Sequence, residues 1–190
     1  MLRLLRLISV VGCVIAVAAC SSTGGSRARL IDGGISSPPP GFITYCFEYA
    51  EICGTERRSG QLLAFDFAQL ETVNAQVNAS IQAQEEARGS DVWRIVSGTE
   101  TDSSGDCEDY ALVKQQRLLA LGWPREILRL AVVKVPGVGA HTVLVVSMPD
   151  TDYLLDNLSS EVTPWDQSGY RFEKWQSRTQ DLAWTKVSHT

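Results

Sequence analysis

Residues 105–111 read Gly-Asp-Cys-Glu-Asp-Tyr-Ala and set one cysteine, Cys107, among three carboxylates, Asp106, Glu108 and Asp109. Turn and cap chemistry precedes them in Thr101-Asp102-Ser103-Ser104-Gly105, whose side chains suit the free N–H groups of a first helical turn. Ala111, Leu112, Leu118 and Leu119 then recur at helical spacing until Gly122-Trp123-Pro124 stops the helix. The spacing predicts Cys107 in the first turn of a buried helix. Backbone N–H groups and the positive end of the helix dipole favour a thiolate there, the form of sulfur that attacks carbonyl carbon. A lone cysteine is also a common core filler, but three charged neighbours are unusual company for one. The same carboxylates raise a difficulty, because nearby negative charge disfavours the thiolate. Either they point away from the sulfur or a cation neutralises them.

A sulfur nucleophile needs an imidazole to take its proton and a carboxylate to orient that imidazole. After Gly122 the period changes from helix to strand. Leu128 to Val135 reads as one strand, Pro136-Gly137-Val138-Gly139 as a turn, and His141 to Met148 as a second strand. Pro149-Asp150-Thr151-Asp152 turns the chain into Tyr153-Leu154-Leu155-Asp156-Asn157-Leu158, completing an antiparallel meander. His141 opens the middle strand and Asp156 lies on the third. If residues 149–152 form the loop, Asp156 shares a face with His141 but pairs with Val145, roughly 13 Å away at strand rise. Contact then requires a bulge or a shifted register. A histidine at a strand start is often purely structural, so it is the combination of Cys107, His141 and Asp156 that argues for chemistry.

A chain of 190 residues with 44% hydrophobic and 21% charged residues is long enough for one domain with a proper core. A net charge of −5 gives no basic footprint, which argues against a nucleic-acid partner. Arg3 and Arg6 precede an apolar run from Leu7 to Ala19, so residues 1–19 read as a secretory signal. The run ends Val17-Ala18-Ala19-Cys20, which resembles the bacterial lipobox, with Cys20 as the lipid-modified first residue; an ordinary signal peptide with an incidental Cys20 is the alternative. Ser21 and Ser22 point to the outer membrane by resemblance to sorting rules. Residues 20–41 are Ser-, Thr-, Gly- and Pro-rich and read as a lipidated flexible tether, leaving 42–190 as the domain.

Of five cysteines, Cys13 leaves with the signal and Cys20 takes lipid. In an oxidising periplasm Cys46 and Cys53 suit a local disulfide. A zinc site is poorly supplied, with His141 and His189 the only two histidines. Cys107 is then the thiol left free. From Phe65 to about Arg88, Phe67, Leu70, Val73, Val77 and Ile81 make one apolar stripe, predicting a helix packed against the cysteine helix with a solvated polar face. Trp93 reads equally as a cleft wall or as a core tryptophan.

Gly-Asp-Cys-Glu-Asp-Tyr-Ala at 105–111, Leu-Gly-Trp-Pro at 121–124, Ala-His-Thr-Val-Leu at 140–144 and Leu-Asp-Asn-Leu at 155–158 together resemble the bacterial transglutaminase-like cysteine proteinases. Weaker echoes occur in Phe42, Cys46 and Cys53 and in the Asn74 and Asn78 helix, so the resemblance spans nearly the whole domain. It implies an α+β, papain-like or transglutaminase-like fold, with N-terminal helices and the nucleophile helix packed on an antiparallel sheet. It assigns Cys107 as nucleophile, His141 as general base and acid, and Asp156 as the group orienting His141. It also implies a calcium ion held by Asp106 and Glu108, which would offset the charge beside the sulfur. The activity implied is a hydrolase, a periplasmic cysteine protease acting on an envelope or surface protein such as a biofilm adhesin, with a membrane receptor as a further partner; the lipobox adds that this one is an outer-membrane lipoprotein. Acyl transfer to an amine, as in a transglutaminase, is the rival within this chemistry. A non-catalytic binding lipoprotein is the rival outside it.

Overall fold

Residues 128–135 and 139–147 carry the densest aliphatic and β-branched runs, and they form the two central strands, β4 (Leu128–Val135) and β5 (Gly139–Ser147). The structure is a computed structural model that describes residues 28–53, 65–87, 89–97, 103–180 and 182–188. The expected signal segment, Cys20 and His189 lie outside the described residues. The two strand runs are continuous rather than alternating because both faces of the sheet are covered. On β5, Leu144 and Val146 join the helices in one core, while Val143 and Val145 join Phe172 and Trp175 in a second core on the opposite face.

The expected meander is present, and it sits inside a larger sheet. Besides β4 and β5, that sheet contains β1 (Ile31–Ser36), β6 (Asp152–Leu155), β7 (Thr163–Pro164), β8 (Arg171–Gln176) and β9 (Trp184–Ser188). The order is β1-β9-β8-β4-β5-β6-β7, with every neighbouring pair antiparallel.

Residues 31–36, which composition assigns to the tether, are edge strand β1, and α1 (Pro40–Glu48) begins two residues before the expected start of the domain. The folded part therefore reaches back at least to residue 28. A Gly-rich strand has little intrinsic preference for a sheet, and this one is held by side chains from elsewhere. Fully buried Asp152 accepts hydrogen bonds from the Leu30 N–H at 2.8 Å and from the Ser147 hydroxyl at 2.6 Å. Buried Arg129 donates to Asp32 and stacks on Trp175, its guanidinium carbon 3.2 Å from the ring centroid.

α1 is tied to the short helix α2 (Ala50–Cys53) by the Cys46–Cys53 disulfide, the pairing that cysteine count favours. α3 (Phe67–Ser80) starts at Asp66, whose carboxylate accepts from the Gln69 N–H. It stops at Ser80, not near Arg88. Ile81 keeps the apolar period and is buried, yet its backbone is extended (φ −111°, ψ 133°). Gln82–Ala83 (β2) then pairs in parallel with Ser104–Gly105 (β3). α4 (Cys107–Ala120) closes at Gly122, whose φ of 90° suits glycine. It packs on α3 and across β4 and β5.

Replacing Asp152 by Ala leaves the Leu30 N–H and the Ser147 hydroxyl without their buried acceptor. Stability should fall by about 2 to 3 kcal/mol, seen as a lower denaturant midpoint; an unchanged midpoint would show that β1 is not held by this carboxylate.

Candidate active site

Cys107 is the first residue of α4, as its spacing predicts, and its thiol is free and half-buried. The turn before it depends on a close approach. A Cβ on Gly105 would lie 2.6 Å from Asp109 Oδ2 and 2.8 Å from Asp109 Cβ, so only glycine lets Asp109 fold back over the turn. Asp109 accepts from the Arg94 N–H at 2.9 Å and from the Asp106 N–H at 3.4 Å, tying the segment before the helix to its first turn. Burial, with the Asp106 charge added, pushes the Asp109 carboxyl up to about 7 despite those hydrogen bonds.

The hairpin carrying His141 and Asp156 is tighter than its sequence suggests. Met148 N–H donates to Thr151 O at 2.9 Å, so the turn consists of Pro149 and Asp150 alone, not of residues 149–152. The ladder then pairs Leu144 with Leu155 and Val145 with Leu154. This slides Asp156 two positions along β5 toward the imidazole, from opposite Val145 to opposite Val143, a diagonal neighbour of His141. Contact follows from register alone: His141 Nε2 lies 2.7 Å from Asp156 Oδ1. Both residues are buried, at 4% and 3% exposure. Asp156 also accepts from the Leu158 N–H at 3.0 Å and from the Tyr170 hydroxyl at 2.7 Å. Burial alone would raise its carboxyl, but the hydrogen bonds from His141, Leu158 and Tyr170 hold it below the ordinary carboxylate value. With Nε2 committed to Asp156, Nδ1 is the ring nitrogen left for a thiol proton.

Cys107 and His141 line one cleft of about 710 Å³, together with Trp93, Thr142 and Asn157. Trp93 is both of the things its sequence allows, a buried neighbour of Phe42 and Trp184 and a wall of the cleft. The Thr142 N–H points at the sulfur from 3.4 Å, while the thiol donates to Glu108 Oε2 at 3.0 Å. Glu108 therefore does not point away. Burial first, then the charge and hydrogen bond of Glu108, push the Cys107 thiol far above its ordinary range, against the lowering effect of the Thr142 N–H. The expectation of a thiolate favoured by the helix start is corrected here, since desolvation and Glu108 outweigh the dipole.

That leaves the second alternative, a cation. Asp106 Oδ1 is buried without a hydrogen-bond partner, and burial raises the carboxyls of both Asp106 and Glu108. Two carboxylates in one cleft, one of them with an unpartnered oxygen, are hard oxygen donors of the kind calcium takes. Among the described residues no three His, Cys, Asp or Glu side chains are grouped to hold a metal, so the pair would need backbone or water oxygens to complete a ligand set.

Three contributors escape the sequence: Tyr170, the Thr142 N–H and Asn78, whose amide donates to the Asp156 carbonyl at 2.9 Å. The only sequence signal for any of them is the Asn74 and Asn78 repeat on a helix face read as solvated.

Asp109 titrates higher in the fold than its ordinary 3.8, so ionising it costs stability. In calcium-free buffer the denaturant midpoint should fall as pH rises from about 4 to about 7, the window between the two values, and Asp109→Asn should reduce that slope. A flat profile in the parent chain would mean the buried carboxylate is ionised throughout.

A family model described as bacterial transglutaminase-like cysteine proteinase (BTLCP) matches residues 32–190. No curated protein matches the sequence. Among solved structures, EGTA-treated LapG from Legionella pneumophila is 27% identical over 57% of this chain and 61% of its own, with a TM-score of 0.51. A second LapG structure gives 27%, 57%, 62% and 0.51 on the same measures. The chain thus spans less than two thirds of either. Calcium-bound LapG is 24% identical over 65% of this chain and 71% of its own, with a TM-score of 0.55, and it shows the shared fold. The family match runs from edge strand β1 through the whole helix-and-sheet arrangement, and the chain belongs to the bacterial transglutaminase-like cysteine proteinases.

Proposed function

We propose that the chain is a lipid-anchored periplasmic cysteine endopeptidase that hydrolyses a peptide bond of an envelope or surface protein, such as an adhesin. The observation that carries this reading is the buried His141–Asp156 hydrogen bond, 2.7 Å long, beside a cleft that Cys107 also lines from the start of α4. His141 Nδ1 takes the thiol proton as Cys107 Sγ attacks the scissile carbonyl carbon. The resulting oxyanion accepts from the Cys107 backbone N–H at the helix start. His141 then gives its proton to the departing amine and the C–N bond breaks. A water molecule, deprotonated by the same imidazole, attacks the thioester; the C–S bond breaks and the thiol re-forms. Asp156 keeps the imidazole in the required tautomer throughout.

Asp106 and Glu108 would hold a calcium ion, and the LapG structures support this in that one was solved calcium-bound and another after EGTA treatment. Bound there, calcium supplies positive charge next to the sulfur. The anchor is Cys20, with outer-membrane retention directed by Ser21 and Ser22. Eight residues from Cys20 to Ala28 reach at most about 28 Å, so the domain would stay close to the bilayer. A membrane receptor is the regulatory partner in this reading.

The test is alkylation of the intact chain carrying Cys13→Ser and Cys20→Ser, which leaves Cys107 as the free thiol, by iodoacetamide with calcium or with EGTA. His141→Ala should slow alkylation at neutral pH by about a hundredfold, and EGTA should slow it in the parent. A thiol indifferent to both changes would sink the peptidase reading and leave a binding lipoprotein. Offering a peptide substrate with an excess primary amine separates hydrolysis, the expected result, from acyl transfer.

A further inference from the structure

Asn74 and Asn78 stand one turn apart on α3, and both turn their amide groups away from solvent into the loop that follows β6. Asn74 is fully buried, and its Nδ2 donates to Ser159 O at 3.1 Å and Ser160 O at 3.3 Å. Asn78 Nδ2 donates to Asp156 O at 2.9 Å and to Ser159 O at 3.0 Å. Carbonyl acceptors on all four bonds fix which end of each amide faces the loop. Two side chains thus grip three backbone carbonyls, those of Asp156, Ser159 and Ser160, in one five-residue loop 78 to 86 positions away in sequence. The same loop folds back on itself through the Leu158 N–H bond to the Asp156 carboxylate.

The amide oxygens of Asn74 and Asn78 have no hydrogen-bond partner, and neither has the ammonium of fully buried Lys114. Lys114 lies on the α4 face turned toward α3, one turn from Tyr110, which donates to Ile81 O, and near Arg117, which reaches Ser80 Oγ. A fully buried Asn74 and a half-buried Asn78 that only filled space would be costly, because a buried amide must be hydrogen-bonded to offset its desolvation.

We propose that Asn74 and Asn78 are positioning residues for the site: by holding the carbonyls of the 156–160 loop they fix the Asp156 carboxylate against the His141 ring. The hold on Asp156 is direct through Asn78 and one step removed through Asn74, so the two effects are graded. A carboxylate released from this hold keeps its charge but loses its alignment, and misplacement on the scale of 1 Å is enough to cost large factors in rate.

The proposal rests on the cysteine-peptidase reading, and the experiment keeps the two separable. With His189→Gln added to the Cys13→Ser and Cys20→Ser chain, His141 is the only imidazole, and its titration can be followed by NMR without any substrate. Asp156→Asn is the benchmark: it should lower the His141 pKa by about one unit or more. Asn78→Ala should shift it in the same direction by a smaller amount and slow Cys107 alkylation by about tenfold, with Asn74→Ala weaker on both readouts. Asn78→Asp keeps the shape without the amide donors and should behave as Asn78→Ala does, which covers the case in which the alanine variant fails to fold. If Asp156→Asn shifts His141 while both Asn78 variants leave its titration and the alkylation rate within twofold of the parent, even with a lowered melting temperature, the asparagines merely stabilise the loop and the proposal is overturned. If Asp156→Asn itself leaves His141 unmoved, the reading of the site falls first and the positioning role falls with it.

Discussion

The contact between His141 Nε2 and Asp156 Oδ1 is the point on which the structure converges. Both groups are almost wholly withdrawn from water, so an imidazole and a carboxylate left unpaired there would each be costly. The fold meets that requirement from several directions at once. The antiparallel register brings Asp156 diagonal to His141, Tyr170 occupies the second carboxylate oxygen, and the Leu158 N–H closes a turn back onto the first. α3 contributes through amides that touch only the backbone of the same loop. A pair supported on each side in this way loses little freedom when a ligand enters the cleft.

Around the sulfur the forces oppose one another. Placement at the start of α4 offers backbone dipoles to a thiolate, and the Thr142 N–H adds to them. Glu108, one residue along, accepts a hydrogen bond from the thiol, and burial withholds the water that would otherwise stabilise charge. Asp106 deepens the negative field. The protein alone thus favours a protonated sulfur, and its reactivity depends on what balances the carboxylates.

What could be read from sequence was what local chemistry fixes. Cys107 at the first position of a helix, the strand bounds of β4 and the closure at Gly122 all follow from caps, runs and stops spanning a few residues. Distant partners hid the rest. Ile31 to Ser36 looks like tether because the groups that make it a strand, Arg129 and Asp152, come from the far half of the chain. α3 seems to continue past Ser80 because Ile81 stays buried after the backbone has become extended, and hydrophobic period alone does not distinguish the two. Asn74 and Asn78 pass for solvated polar residues because their acceptors lie in a loop some 80 positions later. For Cys107 the helix dipole and the flanking carboxylates are both visible in sequence, while the burial that adds to the carboxylates' effect is not.

The Pro149-Asp150 turn begins eight residues after His141, just past the end of β5, about 26 Å along the hairpin at strand rise. It nevertheless acts as the ruler for the His141–Asp156 pair. If the turn took up one more of the existing residues, Asp156 would pass to the opposite face of the sheet, and if it took up two, the face would be restored with Asp156 drawn back opposite Val145. Among relatives of this chain, a different turn at that remote corner can therefore silence a site whose cysteine, histidine and aspartate are all still written in the sequence. Motif and function are separable here by a count of turn residues.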